Sequence, residues 1–197
     1  RSLGAVTGAS NMVKKVVFPV EFMPLTPVLV SLSVYAIACI VLLGIGLGTG
    51  QIALGLSFFA WPILLVILVF FLTGVGLLFS AANVFARDIN LLWSVVSLAW
   101  FVRSPVFWRV PMFQEAADAF EIQNATAYLF LNPAYSLLMS QRMIFGIGAE
   151  LTPTDYAAVF PHGLWHCMGV AALWGVGMFI IGYGFFMSRR HKFADLI

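Results

Sequence analysis

Long apolar runs, bounded by clusters of polar and charged residues, dominate the sequence. No Asp, Glu, Lys or Arg occurs in the 65 positions between Glu21 and Arg87, or in the 33 positions between Asp155 and Arg189. A helix needs about 20 apolar residues to cross the hydrocarbon core of a bilayer, which is roughly 30 Å thick. The first run is therefore long enough for two crossings, and the second is long enough for one.

The pattern predicts four membrane crossings, at residues 24–47, 54–85, 89–107 and 163–187. The second is longer than a straight span needs and contains Pro62, so we expect it to tilt or break. The third is the weakest, because it contains several polar residues and meets Ser104-Pro105 near its end. Between the third and fourth crossings, residues 108–161 form the most polar region, with a helical stretch expected at 134–146.

Composition agrees with this pattern. Of the 197 residues, 62% are hydrophobic and 9% are charged, and the mean hydropathy is +1.01. Soluble domains are about 45–50% apolar and about 25% charged, and disordered chains have little apolar surface. The composition excludes both classes and predicts an all-α membrane protein, a polytopic bundle of transmembrane helices.

The distribution of Lys and Arg predicts the orientation of the bundle. Residues 1–22, 87–88 and 188–197 carry seven of these residues, and the opposite side carries three. Because cytoplasmic loops are enriched in Lys and Arg, the side with seven is predicted to be cytoplasmic. Region 108–161 then faces outward. Its acidic residues, Glu115, Asp118 and Glu121, have the spacing of one helix face and are typical of a solvated surface.

Several kinds of chemistry are missing from the sequence. A net charge of +2 provides no basic surface for nucleic acid. The three lysines do not follow glycine, so the chain lacks the motif that binds ATP phosphates. Crossings 24–47 and 54–85 contain no ionisable residue for coupling to an ion gradient. If the chain takes part in transport, the energy is expected to come from a partner.

Two small clusters leave alternatives open. His162 and His166 share a helical face beside Cys167, which could make half a metal site or an ordinary pair at the membrane boundary. No third ligand follows from the sequence, so we predict neither a metal site nor a catalytic residue. Trp93 and Trp100 are seven residues apart, and the face that they share could line a path for sugars or pack against another helix.

Four segments together are similar to a known family. They are Lys14-Lys15 with Phe18-Pro19 and Glu21 before a Pro-Leu helix start, Asn83-Val84-Phe85-Ala86-Arg87-Asp88, Ser104-Pro105, and Asn132-Pro133 followed by Arg142. The chain resembles, over about residues 11–197, the permease subunit of ABC-2-type polysaccharide exporters, which export O-antigen, capsule and teichoic-acid polymers. It departs from the family at Val20, where arginine is common, and at Arg103, where leucine is usual.

The resemblance implies one transmembrane permease domain over residues 1–197, located in the bacterial cytoplasmic (inner) membrane. Two copies would form a pore, and separate ATPase subunits would bind ATP and Mg. Segment 11–22 would be a cytoplasmic coupling helix, and 108–161 would form short re-entrant or gate helices on the outer side. Such permeases usually have six crossings, so two more are expected before Arg1. The residues implied to couple to the ATPase are Met12, Val13, Lys14, Lys15, Phe18, Pro19 and Glu21.

The implied cargo is a lipid-linked glycan, and the chain itself would perform no bond chemistry. Aromatic side chains in a wide pore would stack weakly on sugar rings, and we expect Trp93, Trp100, Phe101 and Tyr135 to form this surface. Three alternatives stay open at this point. They are an ABC-2 exporter of a drug or lipid, a membrane-embedded glycan-modifying enzyme that uses His162 and His166, and a purely structural membrane subunit.

Overall fold

The computed structural model describes residues 22–52, 54–85, 88–122, 125–148 and 151–189, and helices dominate these ranges. No β-strand occurs in them, and Ile52 and Ile147 form an isolated antiparallel bridge. The all-α prediction is therefore confirmed. The helices are α1 (Phe22–Gly48), α2 (Trp61–Phe85), α3 (Ile89–Arg103), α4 (Val110–Ala119), α5 (Ala125–Leu129), α6 (Pro133–Ile144), α7 (Pro153–Val159) and α8 (Leu164–Arg189).

Three of these helices are long and apolar enough to cross a membrane. Helices α1, α2 and α8 have 27, 25 and 26 residues, and a rise of about 1.5 Å per residue makes each longer than the hydrocarbon core. Many of their large apolar side chains are exposed, such as Ile37 and Ile40 on α1 and Leu173 and Ile180 on α8. Apolar surface of this extent is typical of contact with lipid, so the chain is a membrane protein.

Helix α3 is shorter than the crossing expected at 89–107. It has 15 residues, which is roughly 22 Å and less than the thickness of a bilayer core. It ends at Arg103 because the backbone turns at Ser104, whose amide donates to the carbonyl oxygen of Trp100 at 3.0 Å, and Pro105 follows. A fourth crossing therefore stays a prediction.

The long stretch at 54–85 is broken near its start. Residues Leu56–Ala60 form a 3-10 helix, and α2 begins at Trp61. Pro62 lies in the first turn of α2, where its missing amide N–H costs little. The rings of Phe58 and Trp61 stack with their centroids 5.8 Å apart across this break.

The chain divides into two compact units. The first contains the described residues up to Ala38, Ile67–Ser97 and those from Trp174 onward. In this unit α2 and α8 pack closely, since a Cβ atom on Gly182 would overlap the backbone of Gly74. Phe70 and Phe179 meet edge to face at 5.2 Å. The buried core between these helices consists of Leu77, Ala81, Val84 and Phe186.

The second unit contains Cys39–Val66 and Leu98–Leu173, and most of it is the polar region 108–161. Its short helices begin at clear local signals. The side chain of Asn132 caps α6 by accepting from the amide of Ala134, and that of Thr152 caps α7 by accepting from the amide of Asp155. The buried core of this unit consists of Val110, Leu129, Tyr135, Met139, Met143, Phe160 and Cys167.

Candidate functional site

A hydrogen-bonded network in the second unit joins the end of α3 to the start of α6. Asn132 lies at its centre and is 5% exposed. Its Oδ1 accepts from the indole Nε1 of Trp100 at 2.5 Å and from the amide of Ala134 at 3.1 Å, and its Nδ2 donates to Ser104 Oγ at 3.1 Å. Ser104 Oγ in turn donates to the carbonyl oxygen of Trp100 at 2.9 Å. One asparagine thus fixes a turn, a helix start and an aromatic ring.

Arg142 ties the same turn to the last part of α6. Its Nη2 donates to the carbonyl oxygen of Pro105 at 2.7 Å. Partial burial lowers the pKa of this guanidinium from its ordinary value, yet an arginine in a protein keeps its charge. The link therefore places a positive charge beside the Pro105 turn.

The structure brings together four of the residues that the family motif predicted, Pro105, Asn132, Pro133 and Arg142. Two others belong to the first unit, where Asn83 is buried near the end of α2 and Asp88 is exposed before α3. Arg87 lies outside the described residues. So do the residues expected to couple to an ATPase, which are Met12, Val13, Lys14, Lys15, Phe18, Pro19 and Glu21.

The four aromatic residues expected on a glycan path have different surroundings. Trp93 is half-buried in the first unit, with its ring 4.3 Å from that of Phe79. Trp100 is half-buried and uses its indole N–H within the network described above. Phe101 is 47% exposed. Of the four, Phe101 presents the most open ring surface in this conformation.

Tyr135 is enclosed in the core of the second unit and is 1% exposed. Burial raises the pKa of its phenol above the ordinary value, so the group stays neutral. Its ring meets Phe130 edge to face at 5.1 Å. A sugar could contact Tyr135 only after the short helices around it separate.

The histidine pair is packed against an aromatic ring. His162 and His166 stack with their centroids 5.2 Å apart, and Phe130 contacts both, at 4.8 and 5.1 Å. Among the described residues no group of three His, Cys, Asp or Glu side chains could hold a metal ion. The pair is thus arranged as part of an aromatic cluster.

The acidic run is not confined to one helix face. Glu115 and Asp118 are exposed on α4, but the helix ends at Ala119. Glu121 follows in a turn with a positive φ of 55°. The expectation of one face for all three was therefore wrong, because the helix ends before the third residue. All three side chains are exposed, as expected of a solvated surface.

An open cavity of about 600 Å³ lies within the second unit, next to the network. The bridge between Ile52 and Ile147 brings the loop after α1 to the loop after α6. The Arg142–Pro105 hydrogen bond brings the loop after α3 to the same place. Its lining includes Gln51, Phe107, Trp108, Arg109, Arg142 and Phe160. The volume is in the range of pockets that hold small ligands, roughly 300–1,000 Å³.

Sequence reasoning missed this cavity, because its lining comes from segments far apart in the chain. The adjacent pair Trp108-Arg109 is the one local signal that could have marked it, since an aromatic ring beside a cation is common in binding sites. Sequence reasoning also missed the close approach of Gly74 and Gly182, which are more than 100 positions apart.

One comparison with known proteins found a likeness. The chain is 24% identical over 195 residues to the O-antigen export system permease protein RfbA of Myxococcus xanthus, covering 98% of this chain and 67% of that protein. No protein-family model matches the chain. No solved structure matches it either. The likeness to an export permease confirms the resemblance seen in the sequence motifs.

Proposed function

We propose that this chain is the transmembrane subunit of an ABC exporter that moves lipid-linked polysaccharide across the bacterial cytoplasmic membrane. The observation that carries the proposal is the likeness, over 98% of the chain, to a permease named for O-antigen export. The geometry supports it, because three of the segments that resemble the family meet in one network around Asn132 and Arg142.

The chain would work together with partners that supply the energy. Helices α1 and α2 contain no ionisable residue that could follow an ion gradient. A separate ATPase would bind ATP and Mg and would dock on segment 11–22. A second copy of the chain would complete the pore. This subunit would then change shape and perform no bond chemistry.

Region 108–161 would form the outer gate of the pore. Its short helices, of 10, 5, 12 and 7 residues, are each too short to span a bilayer. The network ties the start of α6 to the end of α3 through Asn132, Trp100 and Ser104. A movement of α3 would therefore be transmitted directly to α6, since buried hydrogen-bonded groups are costly to separate.

Glycan rings would slide over exposed aromatic surface near this gate. Phe101 is exposed and meets Phe107 edge to face at 4.9 Å, and Phe107 is also exposed. The C–H face of a sugar ring is apolar and packs on such rings. Weak contacts of this kind hold the polymer without trapping it, because no single contact is strong.

Deletion of the gene in its native bacterium tests this function. We expect the lipid-linked glycan to accumulate inside the cell and the surface polymer to disappear. Normal surface polymer with unchanged structure would contradict the proposal and favour another cargo or a structural role. Exported polymer with altered chemical structure would instead indicate a glycan-modifying enzyme, to be followed by His162→Ala and His166→Ala.

The aromatic path is tested separately with Phe101→Ala. Because Phe101 is exposed, we expect this variant to fold normally and to lower surface polymer several-fold. The matched control is Val102→Ala, which also shortens an exposed apolar side chain at the adjacent position of α3. Equal export by the two variants would remove Phe101 from the path.

A further inference from the structure

We propose that the cavity beside Arg109 and Arg142 is a subsite for an acidic sugar, one that carries a carboxylate or phosphate group. The proposal rests on the proposed function and names the class of substrate that the exporter would take. It predicts that the transported polymer contains such a sugar, and that this chain recognises it directly.

The charge of the cavity supports an anionic ligand. Two arginines line it, and its described lining contains no Asp or Glu. Neither arginine forms an ion pair within the part of the chain that the structure describes. An unneutralised pair of guanidinium groups at one cavity favours an anion, and arginine binds carboxylate and phosphate through two parallel hydrogen bonds.

The two arginines differ in how they are held. Arg142 is half-buried, and its hydrogen bond to the carbonyl oxygen of Pro105 fixes its position while using one of its five N–H groups. Arg109 is exposed at the start of α4, and its side chain makes no capping hydrogen bond there. One guanidinium is therefore set in place before binding, and the other can adjust to the ligand.

The remaining walls fit a sugar ring better than a simple ion. The Nε1 of Trp108 donates to the carbonyl oxygen of Val102 at 3.2 Å, and its ring lies 5.7 Å from that of Phe113, so its orientation is fixed. Phe107 and Phe160 add aromatic surface. Gln51 adds an amide group that can donate to or accept from a hydroxyl. A phospholipid headgroup would present the same anionic oxygens, but it lacks the ring that these walls would hold.

Binding can be measured without transport. The full-length protein would be purified with its ATPase in nanodiscs of phosphatidylcholine, and titrated by calorimetry with tetragalacturonate, maltotetraose or inorganic phosphate. We expect tetragalacturonate to bind at least about 10-fold more tightly than the neutral maltotetraose and than phosphate alone. Equal binding of the acidic and neutral oligosaccharides would overturn the proposal.

Arg109→Gln locates the site. This residue is exposed, so the variant should fold, and we expect it to lose about 10-fold in affinity for tetragalacturonate and none for maltotetraose. Arg103→Gln is the matched control, because it removes the same charge from an exposed arginine outside the cavity lining. An equal loss in both variants would reduce the effect to general surface charge and overturn the proposal.

Two further arms close the alternatives. Nanodiscs containing phosphatidylglycerol should leave the binding of tetragalacturonate unchanged, and full competition would assign the cavity to lipid and overturn the proposal. Glu150 lies outside the described residues but close in sequence to the cavity lining, and Glu150→Gln should tighten binding or leave it unchanged. If an ATPase co-purifies but the acidic sugar is not preferred, the subsite fails and the exporter stands.

Discussion

Asn132 shows how much a single side chain contributes in this protein. It is nearly buried, yet every hydrogen bond that it makes has a different partner: a helix amide, an indole N–H and a hydroxyl. Cap residues could be predicted from the sequence, since Asn before Pro at the start of an apolar run is a typical helix start. The tertiary partners, Trp100 and Ser104, could not, because nothing local indicates which distant groups meet the cap.

The first prediction concerns this residue. Asn132→Ala should lower the free energy of unfolding by about 2 to 4 kcal/mol, because the cap is worth about 1 kcal/mol and a buried donor left unpaired costs about 1 to 3 kcal/mol more. Chemical unfolding in mixed micelles measures this change.

Thr152→Ala provides the control for that measurement. Thr152 caps α7 in the same way, but its side chain is exposed and its side-chain bonds are to nearby residues, Thr154 and Asp155. We expect a loss of about 0.5 to 1 kcal/mol. Equal losses at the two positions would mean that the bonds to Trp100 and Ser104 contribute nothing.

At the scale of helices, their positions followed from the sequence and their packing did not. The gaps between charged residues located α1, α2 and α8, and the helix expected at 134–146 is observed as Pro133–Ile144. Prolines account for the differences, since Pro62 begins α2 and Pro105 follows the end of α3. Which faces meet was hidden, because a pair such as Gly74 and Gly182 has meaning only after the fold brings it together.

The second prediction tests the contact between α2 and α8. Gly182→Ala should destabilise the protein by about 1 to 3 kcal/mol, because its Cβ would overlap the Gly74 backbone and push the helices apart. The melting temperature of the purified chain in detergent reports this change.

Gly184→Ala is the matched control on the same helix. A Cβ atom at Gly184 meets nothing within 4 Å, and alanine favours a helix over glycine by up to about 1 kcal/mol. We therefore expect an unchanged or higher melting temperature. A similar loss in both variants would show that the contact between α2 and α8 is not what glycine is needed for.

At the scale of the whole molecule, the number of crossings decides which side each region faces. If α3 crosses together with α1, α2 and α8, Asp88 and Ser188 lie on one side and Thr152 lies on the other. If α3 does not cross, Asp88 and Thr152 share a side and Ser188 lies opposite. All three side chains are exposed, so each can be replaced and labelled.

The third prediction follows from the four-crossing arrangement. In a background with Cys39→Ala and Cys167→Ala, Asp88→Cys and Ser188→Cys should react with a membrane-impermeant maleimide only in broken cells, and Thr152→Cys should react in intact cells. The opposite reactivity of Ser188→Cys and Thr152→Cys would leave three crossings and would move region 108–161 to the cytoplasmic side.

The central claim is that this chain is one part of an ATP-driven exporter. The most direct test is to tag the full-length protein, extract it in mild detergent and ask whether a separate P-loop ATPase purifies with it. We predict a stoichiometric ATPase, which is lost when Lys14, Lys15 and Phe18 are changed to Ala, while Arg103→Gln retains it. Purification of the wild-type protein without any ATPase would contradict the account.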